Sequence, residues 1–429
     1  MKRTGFDAVV IGAGAAGMAA AATLSARGRS VALVDREGDM GGILLQCVHN
    51  GFGLHRYGEE LTGPEFASRL EKDVRSAGIP FFPDTTVLSI APPSPDERRF
   101  RLLVSSPRGI EEFLARSVVL AMGSRERNRG NVRIPGDRPA GVFTAGLVQR
   151  LINIEGYVPG SRAVIVGSGD IGLIMARRLT LSGVSVEAAV ELMPYPSGLA
   201  RNVTQCLEDF SIPLYLSQAT TRIIGKNRVE AVEIAPIEDG AVRMERARII
   251  PCDTVLLSVG LVPENELSAR TGVSLNPVTN GPIVDSRLMT DVPGVFAAGN
   301  VLHVHDLADR VAEEAERAGT ACADWLDSYE AAPGRPDTAN ETPLIAGRNV
   351  RYTVPSSLSS EPVPVLLRSM VPLDRATLTI RQGGSLLFAK RLAWVRPGEM
   401  VRVDVDVQSG IRAHAGPCTV SLENGNGEA

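Results

Sequence analysis

A glycine turn of the pattern G-x-G-x-x-G occurs twice in this chain, each time between a short apolar run and a helix-forming one. In the first copy, residues 6–11 are the apolar run, Gly12, Gly14 and Gly17 make the turn, and residues 18–26 read as the helix. The first glycine permits a tight turn, the second lets a pyrophosphate approach the backbone, and the third lets helix and strand pack closely. Ala15 and Ala16 complete the turn, where free N–H groups and the positive end of the helix dipole face an anion. A second strand, residues 30–34, ends at Asp35, 23 residues after Gly12, the reach needed for a ribose diol. Arg36 follows it. The competing reading, a cleaved signal peptide made of Lys2, Arg3 and the Ala-rich run, explains neither the turn nor the acid.

In the second copy a strand at residues 162–166 leads into Gly167, Gly169 and Gly172, with Asp170 and Ile171 inside the turn. A helix at 173–182 and a strand at 184–190 follow, and the strand ends at Glu191, 24 residues after Gly167. An acid at this place accepts from a 2′-OH and repels a 2′-phosphate. Since no Arg lies in residues 192–198, NADH is expected over NADPH. Asp170 belongs to the cofactor loop and is given no catalytic part. Two turns about 155 residues apart imply two dinucleotides. Two nicotinamides have little to exchange, whereas a flavin takes hydride from a nicotinamide and releases electrons one or two at a time. FAD and NAD(H) are therefore the expected cofactors.

Composition removes other classes. There are 45 basic against 49 acidic residues, a net charge of −4, which leaves no electrostatic case for nucleic acid. No uninterrupted apolar stretch reaches 18 residues, so no transmembrane segment is expected. The five cysteines are far apart and never in a C-x-x-C, so a disulfide framework is not expected and a cytoplasmic location is.

In five landmarks, taken in order, the chain resembles the two-dinucleotide flavoproteins of the pyridine nucleotide–disulfide oxidoreductase superfamily. They are the first turn with Asp35, the Gly41-Gly42 pair, the segment 118–123 with Ala121 and Gly123, the second turn, and residues 290–300 ending in Gly299-Asn300. The resemblance implies an α/β fold in which an NAD domain, 149–262 with Gly260 at its end, is inserted into an FAD domain made of 1–148 and 263–330. It also implies that position 300 contacts the flavin's ribityl chain. The family has an acid there; Asn300 hydrogen-bonds a hydroxyl without bringing charge. Residues 41–53, 125–146, 167–179 and 299–306 resemble the α-type subunits of multisubunit flavin dehydrogenases, such as opine and sarcosine oxidases. That resemblance implies two partners, a second flavoprotein dehydrogenase subunit resembling glycerol-3-phosphate dehydrogenase and a small Cys-bearing protein.

The disulfide reductases of this superfamily carry two cysteines beside the flavin. Here the segment after Gly42 holds one, Cys47, with His49 and His55 nearby. Cys47 is open to two readings, a redox thiol as in NADH oxidases and peroxidases, or a packed structural one. His303 and His305 follow Asn300; they are candidates to relay protons or gate electron exit, or else to be hydrogen-bonded structural groups. Cys47, His49, His303 and His305 are the candidate catalytic residues. No metal site is assigned, because the ligand spacing around Cys47 is irregular. Asp306 is expected to cap a helix from Leu307 to about Trp325. The cluster Arg125, Arg127, Arg129 and Arg133 is read as a solvated loop face.

Residues 331–346 read as a linker. Beyond them, at 347–429, lie short strand-like runs at 350–354, 363–367, 377–380, 386–389, 401–407 and 419–422, expected to form a small β-sandwich without catalytic residues, serving for interaction or capping. The function expected is hydride exchange between NADH and FAD with electrons passing to or from a partner subunit. The rival readings are a stand-alone NADH oxidase or peroxidase using Cys47, and a nucleotide-binding subunit without turnover.

Overall fold

Two parallel sheets, each built around one glycine turn, organise the chain. The computed structural model describes residues 3–331, 341–359, 361–406, 411 and 416–425. It divides into two units, one of residues 1–124 with 263–429 and the other of residues 125–262.

In the first unit, strand Arg3–Ile11 pairs in parallel with Val31–Val34 on one side and Gly109–Leu120 on the other. Phe81–Phe82 extends the sheet beyond Val31–Val34, and Val295–Ala297 pairs in parallel with Gly109–Leu120. Phe100–Ser106 and Thr86–Ala91 continue it as an antiparallel meander. Residues 8–11 of the first strand and all of Val31–Val34 are buried, so these stretches read as unbroken apolar runs rather than alternating ones. Helix Ala15–Ala26 lies against the long helix Ala308–Ala331. Their contact is lined with small residues: a Cβ on Gly319 would sit 2.9 Å from the Ala20 carbonyl oxygen.

The second unit has a five-stranded parallel sheet in the order Val142–Thr144, Thr254–Leu257, Arg162–Val166, Ser185–Val190, Leu214–Tyr215. Antiparallel strands Gln218–Gly225, Val229–Glu238 and Arg248–Pro251 complete it. The unit begins at Arg125, where the sequence reading began the nucleotide domain at residue 149. The cause is pairing: Val142–Thr144 joins the parallel sheet, and Gly136 bridges Ile223.

The C-terminal module belongs to the first unit. Strands Ser357–Leu358, Thr342–Ala346, Cys418–Asn424, Leu373–Gln382 and Ser385–Val395 form one sheet, and Val350–Val354, Val363–Ser369 and Val401–Val405 another. The two share a core that includes Leu344, Val365, Leu378, Val403 and Val420. Thr342–Ala346 is a strand here although its composition read as linker. Burial of Leu344 and parallel pairing with Cys418 draw it into the sheet. Val407, His414 and residues 332–340 lie outside the described residues. Tyr352 and Val354 join the core of the first unit's parallel sheet, and the Ser356 N–H donates to the Val284 carbonyl at 2.9 Å. No helix among the described residues is long and apolar enough to cross a membrane.

Candidate active site

At the first turn, Gly12 has φ +105°, and a Cβ there would lie 2.3 Å from the Ala121 carbonyl oxygen. A Cβ on Gly17 would meet the Gly12 carbonyl at 1.6 Å, which no rearrangement of side chains relieves. Gly14 differs, for nothing stands within 4 Å of its Cβ position, and the same holds at Gly123. The bare backbone at Gly14 is the N-cap of helix Ala15–Ala26, where anions are favoured. Gly41 is drawn beside it by an N–H donated to the Ala13 carbonyl at 2.8 Å, with Gly42 packed over Gly14. Asp35 accepts the Ala13 N–H at 2.5 Å and the Glu37 N–H at 2.9 Å. A cavity of about 220 Å³ opens here, lined by Gly12, Asp35, Arg36, Thr85 and Met122 among others. It sits at the carboxyl ends of strands Arg3–Ile11 and Val31–Val34, where open α/β sheets bind their ligands. A glycine cradle, an acid and a cavity in one place fit the adenosine and pyrophosphate of a flavin nucleotide.

The second turn repeats this geometry. Gly167 has φ +93°, with its Cβ position 2.1 Å from the Ser258 carbonyl oxygen, and a Cβ on Gly172 would meet the Ser258 side chain at 2.6 Å. Glu191 accepts the Ser168 N–H at 3.0 Å, as Asp35 accepts that of Ala13. Glu191 is only 5% exposed, and its Oε2 also receives the Ser168 and Ser197 hydroxyls at 2.5 and 2.9 Å, while Oε1 receives the Met193 N–H at 2.9 Å. Asp170 Oδ1 accepts the Leu199 N–H and the Asn202 amide at 2.8 and 2.6 Å. Gly169 and Ile171 lie at the start of helix Asp170–Leu181, and Gly260 accepts the Arg127 N–H. Ser168 and Ser197 escaped the sequence reading, although a serine inside a glycine turn facing an acid 23 residues on was a legible signal.

Cys47 donates its thiol to the Ile43 carbonyl at 3.3 Å, and a Cβ on Gly63 would lie 2.7 Å from Cys47 Cβ. Burial pushes the thiol up to about 12, so it is uncharged at neutral pH. No disulfide joins any of the five cysteines. The His49 Nδ1 pairs with the Asn50 carbonyl at 2.9 Å. Asp309 fastens this segment to the long helix by accepting the N–H groups of Gly53, His55 and Arg56.

His303 and His305 meet in a group the sequence reading left incomplete. Both donate through Nε2 to Glu314, at 2.9 Å to Oε2 and 3.1 Å to Oε1, and Oε1 also accepts the Gly299 N–H at 2.7 Å. The side chains are 0%, 1% and 3% exposed. Burial would raise the Glu314 carboxyl, but the two imidazoles beside it hold it well below the usual carboxylate range. Burial pushes His303 down, assisted by His305 and opposed by Glu314. His303 Nδ1 has no partner in this buried site. Such a group can hold or pass a proton; its ligand atoms lie within 4.8 Å of one another, but both Nε2 atoms are spent on the carboxylate. Asn300 Oδ1 accepts the His305 N–H at 3.0 Å. The cap expected from Asp306 is not made. The helix begins at Ala308, and Asp306 instead takes the Arg368 guanidinium and the Met400 N–H.

Two glycine turns, each with its acid, and a buried imidazole–carboxylate group at the turn before a long helix define a flavin- and pyridine-nucleotide-dependent oxidoreductase. The chain belongs to the pyridine nucleotide-disulphide oxidoreductase family, whose pattern matches residues 6–322. An opine oxidase subunit of Agrobacterium tumefaciens is 27% identical over 325 residues, covering 69% of this chain and 61% of that protein. An alkyl hydroperoxide reductase subunit of Pseudomonas aeruginosa is 26% identical over 306 residues, covering 70% and 54%. The chain thus spans less than two thirds of the length of these relatives. Thioredoxin reductase of T. acidophilum matches with a TM-score of 0.61 and 24% identity, over 76% of this chain and 99% of that one, a likeness of fold. FAD and NAD(P)H are the cofactors of this fold and family.

Proposed function

We propose that this chain exchanges hydride between NADH and FAD and passes electrons to or from a partner subunit. The observation that carries the reading is the paired geometry of Asp35 and Glu191, each accepting the N–H that follows the first glycine of its own turn. Bound flavin would supply the hydride acceptor. The residues' work is placement: Gly14 and the start of helix Ala15–Ala26 hold the pyrophosphate, Asp35 the ribose, and Asn300 a ribityl hydroxyl. Gly167, Gly169 and Glu191 hold the nicotinamide nucleotide, and the acid disfavours a 2′-phosphate.

A disulfide route lacks support, because the half-buried Cys47 thiol is pushed up to about 12 by desolvation and no disulfide joins the cysteines. That favours an external acceptor over oxidase or peroxidase chemistry at Cys47. The opine oxidase relative, by its name one subunit of a larger enzyme, carries the same implication. The test is steady-state turnover with NADH and a choice of acceptors. The reading expects reduction of a one-electron acceptor such as ferricyanide, without reduction of glutathione disulfide, lipoamide or thioredoxin. Disulfide reduction that Cys47→Ser abolishes would overturn it.

A further inference from the structure

The C-terminal module lies beyond residues 6–322, so the family match gives it no role. We infer that Arg368, carried on this module, is a positioning residue of the flavin site, and that through it the sandwich holds the turn following Asn300 in place. The inference rests on the reading of Asn300 as the ribityl contact.

Arg368 stands on strand Val363–Ser369 with its side chain 13% exposed. Its guanidinium donates to the Val304 carbonyl at 3.2 Å, to the Gly398 carbonyl at 2.6 Å and to the Asp306 carboxylate. The other Asp306 oxygen accepts the Met400 N–H at 2.6 Å, so two segments of the module grip one residue. Tyr352 sets its ring edge-on to His303 with centroids 6.0 Å apart. On the opposite side, Glu314 holds Gly299, His303 and His305. The turn from Gly299 to Asp306, with Asn300 tied to His305, is thus clamped between the long helix and the sandwich.

The charges agree with this arrangement. Glu314 is the anion beside both imidazoles, Arg368 is the cation whose charge reaches His303, and Arg317 faces Glu314 from the same helix. Glu313 faces outward and is neutralised at the rim by Arg310 and Arg402. Tyr352 faces Arg368 and is uncharged. Burial and the Arg368 charge both hold His303 toward its neutral form, in which its Nε2–H donates to Glu314. Without Arg368, Asp306 keeps only the Met400 N–H, and His303 loses a charge that disfavours its protonation and takes up a proton more readily.

The test uses the full chain with Arg368→Met, Arg368→Lys and Asp306→Asn, and Arg402→Met as a control that loosens the module's rim only. The readouts are circular dichroism for folding and FAD titration of the apoprotein by fluorescence, repeated at several pH values. The wild type is expected to bind FAD with little pH dependence between about pH 6 and 7.5, the range of imidazole titration. Arg368→Met is expected to bind about tenfold or more weakly, and with a pH dependence the wild type lacks. Arg368→Lys should recover most of the loss, and Arg402→Met should match the wild type. Folded Arg368→Met protein with wild-type affinity and pH profile would overturn the inference. If that variant does not fold, Asp306→Asn decides in its place, and unchanged affinity there contradicts the clamp. A wild-type chain that takes up no FAD would instead count against the reading of Asn300 and the first turn.

Discussion

His303 Nε2 lies 2.9 Å from Glu314 Oε2, with both side chains inside the protein. This one contact ties the turn after Gly299 to the long helix, and it sets the acid sensitivity of the fold. His303 is pushed below the imidazole range by burial, so the unfolded chain binds its proton more readily than the native one. Stability is therefore lost as pH falls below about 6.5, the unfolded value. Glu314, held low by the imidazoles against the effect of burial, contributes stability that is lost below its unfolded value of about 4.5. The melting temperature is expected to fall steadily from about pH 6.5 to 4.5. His303→Gln should flatten the upper part of that fall. A wild-type melting temperature that stays level across this range would contradict the assignment.

Replacing Glu314 by Leu leaves the Gly299 N–H and two imidazole N–H groups without an acceptor in a buried site. The expected cost is about 3–5 kcal/mol, read by denaturant unfolding. A loss under about 1 kcal/mol would mean that the group adds little beyond packing.

The glycines of the first turn separate folding from binding. Gly17→Ala puts a Cβ against the Gly12 carbonyl and is expected to cost about 3 kcal/mol or more. Gly14→Ala points into open space with an ordinary φ of −76°, so the apoprotein should lose no more than about 0.5 kcal/mol. Flavin retention should nonetheless fall, since the added methyl occupies the pyrophosphate's approach. Equal damage from both substitutions, in melting temperature and in bound flavin, would sink this division of labour.

These turns were legible because their logic is local. A strand, three glycines, a helix and an acid fall within some 25 residues and need no distant partner. Glu314 was not recognised, although a helix period running Val311, Glu314, Ala318 places a carboxylate on an apolar face. Its partners come from a loop whose path is set by tertiary contacts. Asp306 misled for the same reason. A carboxylate just before a helix reads as a cap, but Arg368, 62 residues away, takes it first. Thr342–Ala346 likewise shows a strand only because Cys418–Asn424 is there to pair with it.

Glu191 is expected to set nucleotide choice. Glu191→Gln keeps an acceptor for the Ser168 N–H and removes the charge that repels a 2′-phosphate. The ratio of kcat/KM for NADH over NADPH should drop by roughly tenfold. An unchanged ratio would place the discrimination in other residues.

Cys47 should be chemically quiet. With its thiol pushed up to about 12 by burial, alkylation by iodoacetamide at pH 7 is expected to be slow in the native protein and fast after unfolding. Cys47→Ser should leave reduction of the flavin by NADH unchanged. Rapid native alkylation accompanied by loss of that reduction would restore the redox thiol.

The most direct test of the account is an anaerobic absorbance titration of the purified, flavin-containing chain with NADH. Bleaching of the flavin bands at about one NADH per flavin, as two-electron hydride transfer requires, is the predicted result. A bound flavin that neither NADH nor NADPH bleaches would contradict the central claim that this chain exchanges hydride between a nicotinamide nucleotide and its flavin.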